Sequence, residues 1–319
     1  MVKVLFLKLI IFFLLLFVPL YFLQKYVDNG LLKMRLGEYG VWNDIYESKI
    51  NADVVIVGSS RATVNISSPI LTEKLKLNTY NIGIDGGDFN MEYLRFQVYL
   101  QHNKKPKVVI LSLHTADLQK NEGIFNQEQF LPFLGDTLVR NATSGYSSSL
   151  SYADYYIPAV KYRSDFQSVS DGIKMVLDKP VSRIYYAMRT NGYEARDRKW
   201  DDSFDKLKRS GKKFDIKFND ELVAKFQEFI KYCKEKNIEL IFVYTPEYTG
   251  VQPYFVNREM VMNYYGKVAK DNSIPMLDYS QDSISSNTAY FYNSEHLNTS
   301  GSVYFTMKLA SDLVNLGIK

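Results

Sequence analysis

The chain has little that could hold a metal or a disulfide. Its 319 residues include one cysteine, Cys233, and three histidines, His102, His114 and His296. A single cysteine excludes an internal disulfide. Three scattered histidines lack the ligand spacing of a metal site, so no metal and no cofactor is expected. Cys233 falls inside a helical pattern, Phe229-Ile230-Lys231-Tyr232-Cys233, and is read as a packed side chain. Charge of one sign is missing too. The net charge is +4, and Lys3, Lys8 and Lys25, which flank or interrupt the first apolar run, supply three of these. About +1 is left for the rest, which excludes a basic nucleic-acid footprint. No internal repeat is evident. The glycine-rich stretch Gly83-Ile84-Asp85-Gly86-Gly87-Asp88 is followed by no Lys-Ser/Thr pair, so it is neither a P-loop nor a dinucleotide fingerprint.

Apolar residues are plentiful: 46% of the chain is hydrophobic, with 25 tyrosines and 20 phenylalanines. Residues 4–23 form an apolar run broken only by Lys8 and Pro19, long enough to span a bilayer. A secretory signal would have a shorter apolar core and a small-x-small cleavage site. The run ends in Tyr21-Phe22-Leu23-Gln24-Lys25-Tyr26-Val27-Asp28, which offers no such site, so it is read as an uncleaved anchor. Lys3 and Lys8 precede it, and Lys25, Lys33 and Arg35 come after. The positive-inside count is nearly balanced, and the commoner N-in, C-out arrangement is adopted. The expected organisation is an anchor over 1–25, a juxtamembrane connector over 26–50 and an α/β domain over 51–319. The protein is expected in the cell membrane, single-pass, with its C-terminal domain extracytoplasmic.

From residue 53 the pattern alternates. The β-branched run 53–57 reads as a strand buried on both faces. Ser67-Ser68-Pro69 opens a helix with an N-cap and an N1 proline. A short strand over 79–82, a helix over 91–102 and a strand over 107–113 come next. The rhythm then stops. Residues 118–217 carry Ser147-Ser148-Ser149, the tyrosines Tyr152, Tyr155, Tyr156, Tyr162, Tyr185 and Tyr186, and a charged run over 194–213. So long a stretch needs structure of its own, and it is read as a partly helical insertion that folds over the strand edge as a lid or acceptor platform. Alternation resumes with a helix over 220–236, a strand over 238–244, a helix over 257–270, a strand over 275–277 and a last helix over 300–316. Five strands alternating with helices predict a parallel sheet with helices on both faces.

In such a sheet functional groups gather beyond the carboxyl ends of the strands. Four segments leave there: Gly58-Ser59-Ser60, the Gly83 turn, His114-Thr115-Ala116-Asp117, and the loop Asn293-Ser294-Glu295-His296-Leu297-Asn298. A serine in such a turn needs a base within hydrogen-bond reach and donors for an oxyanion. Ser60 and His296 are the candidates, 236 positions apart. Asp88, at the start of a helix, is read as an N-cap. Arg61 reads equally as an anion contact or as a salt-bridged surface residue, and His114 is a candidate substrate contact.

Gly58-Ser59-Ser60 resembles the nucleophile block of the SGNH (GDSL-type) hydrolases. Asn81-Ile82-Gly83-Ile84-Asp85-Gly86 is similar to their second block, and Asn293 to His296 to their Asp-x-x-His block. The Gly-Ser-Ser-Arg form and the N-terminal anchor look most like the membrane-bound branch of envelope polysaccharide O-acyltransferases and teichoic-acid D-alanyl transfer proteins. The resemblance covers about 50–117 and 218–316. It implies a three-layer, flavodoxin-like fold with a five-stranded parallel sheet and a helical insertion after strand 3. It implies Ser60 as nucleophile, His296 as base, and oxyanion donors on Ser60 and on Gly86 or, next best, Gly83. The implied activity is a serine esterase or acyltransferase acting on small acyl groups of cell-envelope glycans, with an acylated glycan or an acyl-donor protein as partner. Two positions depart from the pattern. The third block usually offers an Asn to the oxyanion, and Ala116 stands near that place. Asn293 stands where the family has Asp, which leaves Glu295 or Asp278 as alternative acids. These departures motivate the alternative of a non-catalytic glycan-binding or assembly component.

Overall fold

The computed structural model describes residues 2–147, 150–181 and 187–319. Ser148, Ser149, Tyr185 and Tyr186, named above, lie outside the described residues. In chain order the strands are β1 (Val54–Gly58), β2 (Thr79–Asn81), β3 (Val108–Leu113), β4 (Glu239–Tyr244) and β5 (Met276–Asp278). The helices are α1 (Val2–Leu31), α2 (Gly37–Tyr46), α3 (Ser60–Asn65), α4 (Ser68–Leu75), α5 (Phe89–His102), α6 (Thr137–Thr143), α7 (Tyr152–Tyr156), α8 (Phe166–Val176), α9 (Ser203–Ser210), α10 (Asp220–Glu235), α11 (Arg258–Asp271) and α12 (Thr299–Asn315). The chain divides into two compact units, Asp44–Asn121 with Ala187–Lys319, and Met1–Asn43 with Glu122–Tyr186.

The larger unit holds the sheet. All strand pairs are parallel and the order is β2-β1-β3-β4-β5, the flavodoxin-like order. The β-branched residues of β1 and β3 are wholly buried because helices cover both faces. On one face Val54, Ile56, Ile110 and Val243 pack with Ala62, Ile66 and Leu71 and with Phe305, Leu309 and Leu313 of α12. On the other, Phe89 and Phe96 meet Phe229 edge-on at 5.7 and 5.2 Å, and Phe226 lies 5.6 Å from Phe242 of β4. Each buried aromatic ring contributes on the order of 2 kcal/mol from area alone. Strand order reverses between β1 and β3, so the crevice at their carboxyl ends is where a ligand site is expected.

In the smaller unit the lower end of α1 packs on α8. A Cβ on Gly30 would lie 1.8 Å from the Gly172 carbonyl oxygen, so the two helices touch backbone to backbone. Asp28 is buried and pairs with Lys161 at 2.8 Å and with the Tyr162 hydroxyl. Asn43 donates to the carbonyls of Leu31 and Met34 at 2.9 and 2.8 Å, closing the end of α1. Trp42 donates to Gln129 at 3.0 Å and packs edge-on against Phe130. The stretch read as one insertion over 118–217 is therefore shared. Residues of Glu122–Tyr186 belong with the apolar helix, and those from Ala187 onward belong with the sheet. Among the described residues α1 is the one helix long and apolar enough to cross a membrane.

Candidate active site

β1 ends on Gly58, whose φ of +148° is a conformation that side-chain-bearing residues rarely adopt. A Cβ there would also lie 2.7 Å from the Ser112 carbonyl oxygen and 3.0 Å from the Ala62 side chain. The glycine lets the chain turn sharply from β1 into α3. Ser59 is the N-cap and Ser60 the first helical residue. The Ser60 N–H is thus one of the donors a helix start leaves unpaired.

Two asparagines fix this turn to its surroundings. Asn81, at the end of β2, donates to the carbonyls of Ala62 and Ile66 at 2.7 and 3.1 Å and accepts the Gly83 N–H at 2.9 Å. The Gly83 N–H is therefore occupied, which corrects the expectation that it serves as an oxyanion donor. Gly86 lies in the following turn with φ +64°. No acceptor for its N–H occurs among the described residues, so of the two glycine N–H groups the one on Gly86 stays available. Asn65, the last residue of α3, donates to Thr245 at 3.0 Å and accepts the Leu297 N–H at 2.8 Å. That bond ties the histidine loop to the serine turn.

Ser60 Oγ lies 2.8 Å from His296 Nε2, and His296 Nδ1 lies 2.9 Å from Asn293 Oδ1. The backbone N–H groups of Glu295 and His296 both donate to that same Oδ1, each at 3.0 Å. Two backbone donors identify the facing amide atom as oxygen, so Nδ1 must carry a proton and Nε2 is the acceptor for the serine hydroxyl. Tyr292 stacks on the imidazole, with ring centroids 5.4 Å apart and planes 8° apart. Burial pushes the His296 pKa down to about 4, against the pull of the Glu295 carboxylate and helped by Arg61 and His114. At neutral pH the imidazole is uncharged and ready to accept a proton.

The second histidine is held differently. His114 comes directly after β3, and its Nε2 faces Glu295 Oε1 at 3.4 Å. Its backbone N–H donates to Asp117 at 2.5 Å. Burial lowers its pKa, but the Glu295 bond and charge, with Asp117, raise it above the ordinary value on balance. Burial would raise Glu295, yet His114, His296 and Arg61 hold it down at about 2. Glu295 is thus a fixed anion that faces His114, while Nδ1 of His296 goes to Asn293. Asp278, the other acid considered, accepts the Ser280 N–H at 2.9 Å instead.

Arg61 is 1% exposed. It donates to Thr245 Oγ1 at 3.0 Å, to the Thr245 carbonyl and to Glu247 at 3.0 Å, and it lies over the Tyr244 ring at 4.6 Å. The salt bridge read from sequence is present, but with Glu247 in the interior and not at the surface, and a guanidinium this buried is out of reach as an anion contact. Glu247, which also receives Arg258 at 3.1 Å and the Tyr244 hydroxyl at 2.9 Å, was not singled out from sequence. Its signal was its place, three residues beyond the strongest strand. Glu92 was missed as well. Neither of its oxygens meets a donor among the described residues, and burial with the charges of Asp117 and Asp88 pushes its pKa well up. Asp117 in turn accepts the His114 backbone N–H at 2.5 Å.

The site brings Ser60, His296, Asn293, Glu295 and His114 into one hydrogen-bonded cluster. Among the described residues no group of side chains could hold a metal ion. The pieces present are a serine hydroxyl, a neutral imidazole of fixed tautomer that faces it and two backbone N–H groups, which is what acyl transfer through a serine ester requires.

No protein-family model matches the sequence, and no curated protein matches it. Solved structures do. An acetyl xylan esterase, AlAXEase, is 14% identical over 82% of this chain and 98% of its own, with a TM-score of 0.41. A protein placed in the lipolytic G-D-S-L family, from Desulfitobacterium hafniense DCB-2, is 12% identical over 81% and 97%, with a TM-score of 0.41. A family two carbohydrate esterase from Clostridium thermocellum, in complex with cellohexaose, is 9% identical over 83% and 65%, with a TM-score of 0.36.

Proposed function

We propose that the chain is a membrane-anchored serine esterase or acyltransferase of the SGNH type, acting outside the cytoplasm on small acyl groups of cell-envelope glycans. The observation that carries this is the 2.8 Å approach of Ser60 Oγ to His296 Nε2, with Nδ1 pinned on Asn293. Ser60 Oγ attacks the acyl carbonyl carbon while its proton passes to His296 Nε2. The N–H groups of Ser60 and Gly86 receive the developing oxyanion. His296 then returns the proton to the leaving alcohol, and an acyl-Ser60 ester remains. Water or a sugar hydroxyl, deprotonated by the same nitrogen, resolves that ester; the first outcome is hydrolysis and the second is transfer. The aromatic cluster beside the histidine loop, with Trp200 5.0 Å from Tyr248 and Tyr292 on the imidazole, supports a sugar as the group presented there.

The test is covalent labelling. Full-length protein in detergent should react with a fluorophosphonate probe at Ser60, and Ser60→Ala should abolish labelling with the thermal melt unchanged. Labelling that persists in Ser60→Ala would place the nucleophile elsewhere. One observation favours a second reading, a non-catalytic glycan-binding component: the partner of Nδ1 is a neutral amide. Folded wild-type protein that takes no label would favour that reading.

A further inference from the structure

We propose that Tyr152, Tyr156 and Ile157, at the end of α7, form an interfacial foot that rests in the headgroup boundary of the same bilayer that α1 crosses. The proposal rests on the anchor reading of α1 and adds a second, independent membrane contact to it. Two contacts fix the level of this segment on α1. Lys161 and Tyr162 reach Asp28, and the Ala159 N–H donates to Gln24 Oε1 at 2.8 Å. Asp28 and Gln24 are one helical turn apart, about 6 Å along the axis. Going backward from Tyr162 to Ala159, the chain therefore descends α1 toward its apolar part. Continued by two or three residues to Ile157 and Tyr156, that direction leads toward the level where the apolar run ends at Leu23. Leu20, a turn below Gln24, is partly covered, whereas its neighbours Phe22 and Leu23 are exposed.

The side chains at that level suit the boundary. Tyr155 turns inward, with its hydroxyl 3.0 Å from Thr143 Oγ1. Tyr152 and Tyr156 are therefore left on the outer face, one turn apart with ring centroids 4.4 Å apart. They are 78% and 55% exposed, and Ile157 is 40% exposed. Large apolar surface left bare at one spot calls for an occupant. Tyr21 and Tyr26 of α1, both exposed, and Lys25, whose ammonium lies over the Tyr21 ring, complete a ring of tyrosine and lysine of the kind that marks a membrane–water boundary. An amphipathic segment there sinks about 5–10 Å into the headgroup region. The same contact would fix the rotation of α1 about its axis.

The experiment uses the full chain with Cys233→Ala, in phosphatidylcholine nanodiscs that carry lipid spin-labelled near the headgroup. Single cysteines at Tyr156→Cys and Ile157→Cys carry an environment-sensitive fluorophore. Leu14→Cys, in the middle of the apolar run, and Lys33→Cys, beyond the end of α1, are the references. Emission at 156 and 157 should fall by roughly half or more on adding spin-labelled lipid, and emission at 33 should not. Discs with the label deep in the acyl chains should quench position 14. If 156 and 157 both behave like 33 while 14 is quenched, the foot is refuted and the anchor stands. If 14 also escapes quenching, the anchor reading falls and the foot with it.

Discussion

Two histidines share one site, and their partners are the reverse of what their roles would suggest. His296, next to Ser60, has a neutral amide on Nδ1. His114, one strand away, faces the carboxylate of Glu295. Both are largely buried, and burial lowers both, yet His296 falls to about 4 while His114 rises above its ordinary value. The difference is one of geometry: Glu295 sits beside His296 in sequence but directs its charge at His114. The imidazole that faces Ser60 is kept neutral, and the one that faces the carboxylate is kept ready to be charged. Under the proposed function, such a site would keep its base available in mild acid and give the imidazolium little direct help.

The comparison breaks first at the imidazoles themselves. His296→Ala should lower turnover of an acyl ester by about 10⁴-fold or more, as loss of a base that acts as a unit with its nucleophile does. His114→Ala should stay within about tenfold of wild type. Steady-state kinetics on a chromogenic acetyl ester checks both. Equal losses would make His114 part of the proton path and end the division of roles.

The buried guanidinium provides the next test. Arg61→Met should destabilise the fold by about 3 kcal/mol, because it leaves Glu247 buried with one cation instead of two. KM should stay unchanged in the folded fraction. Chemical denaturation measures the first and kinetics the second. A raised KM with unaltered stability would restore Arg61 as a substrate contact.

These residues also show where sequence reading stops. The five strands and the helices around them were legible because β1 is a β-branched run and β3 opens on one, Val108-Val109-Ile110, and α10 and α12 have clear apolar faces. The pairing of Ser60 with His296, now seen at 2.8 Å, was suggested by two polar turns expected at the carboxyl edge of the sheet. Arg61 was ambiguous because burial is a tertiary property: the buried acid that accepts it, Glu247, lies 186 positions away. The inserted stretch was opaque for a related reason. The apolar partner of α8 is α1, at the far end of the chain, so no local period announced the packing. Gly83 stayed in the sequence reading as the second choice after Gly86 because a free N–H and one taken by Asn81 look the same in sequence.

Asn293→Asp should sharpen the contrast. A carboxylate on Nδ1 stabilises imidazolium, so acylation should accelerate by about 10-fold or more. His296 would then titrate above its present value of about 4, and the acid limb of kcat/KM should move up with it. Stopped-flow acylation across pH reads both. An unchanged rate would mean that the amide is not what limits this site.

The smallest effect, and the most diagnostic, belongs to Glu295→Gln. In the proposed mechanism His296 works as a neutral base, so activity should be present above its pKa and lost as pH falls through about 4. The Glu295 charge raises that pKa; removing it should shift the acid limb to lower pH, with little change in rate at pH 7. Stability changes with a separate sign. Glu295 has a folded pKa of about 2, below its ordinary 4.5, so its contribution is present above 4.5 and lost as pH falls through 2. His114 is raised above its ordinary 6.5, so its contribution is present below 6.5 and lost as pH rises through its folded value. The pair therefore stabilises most between 4.5 and 6.5, and thermal melts of Glu295→Gln should lose the most against wild type inside that window. An acid limb that moves up instead would show that Glu295 does not act on His296, and a melting difference that is flat with pH would show that it does not hold His114.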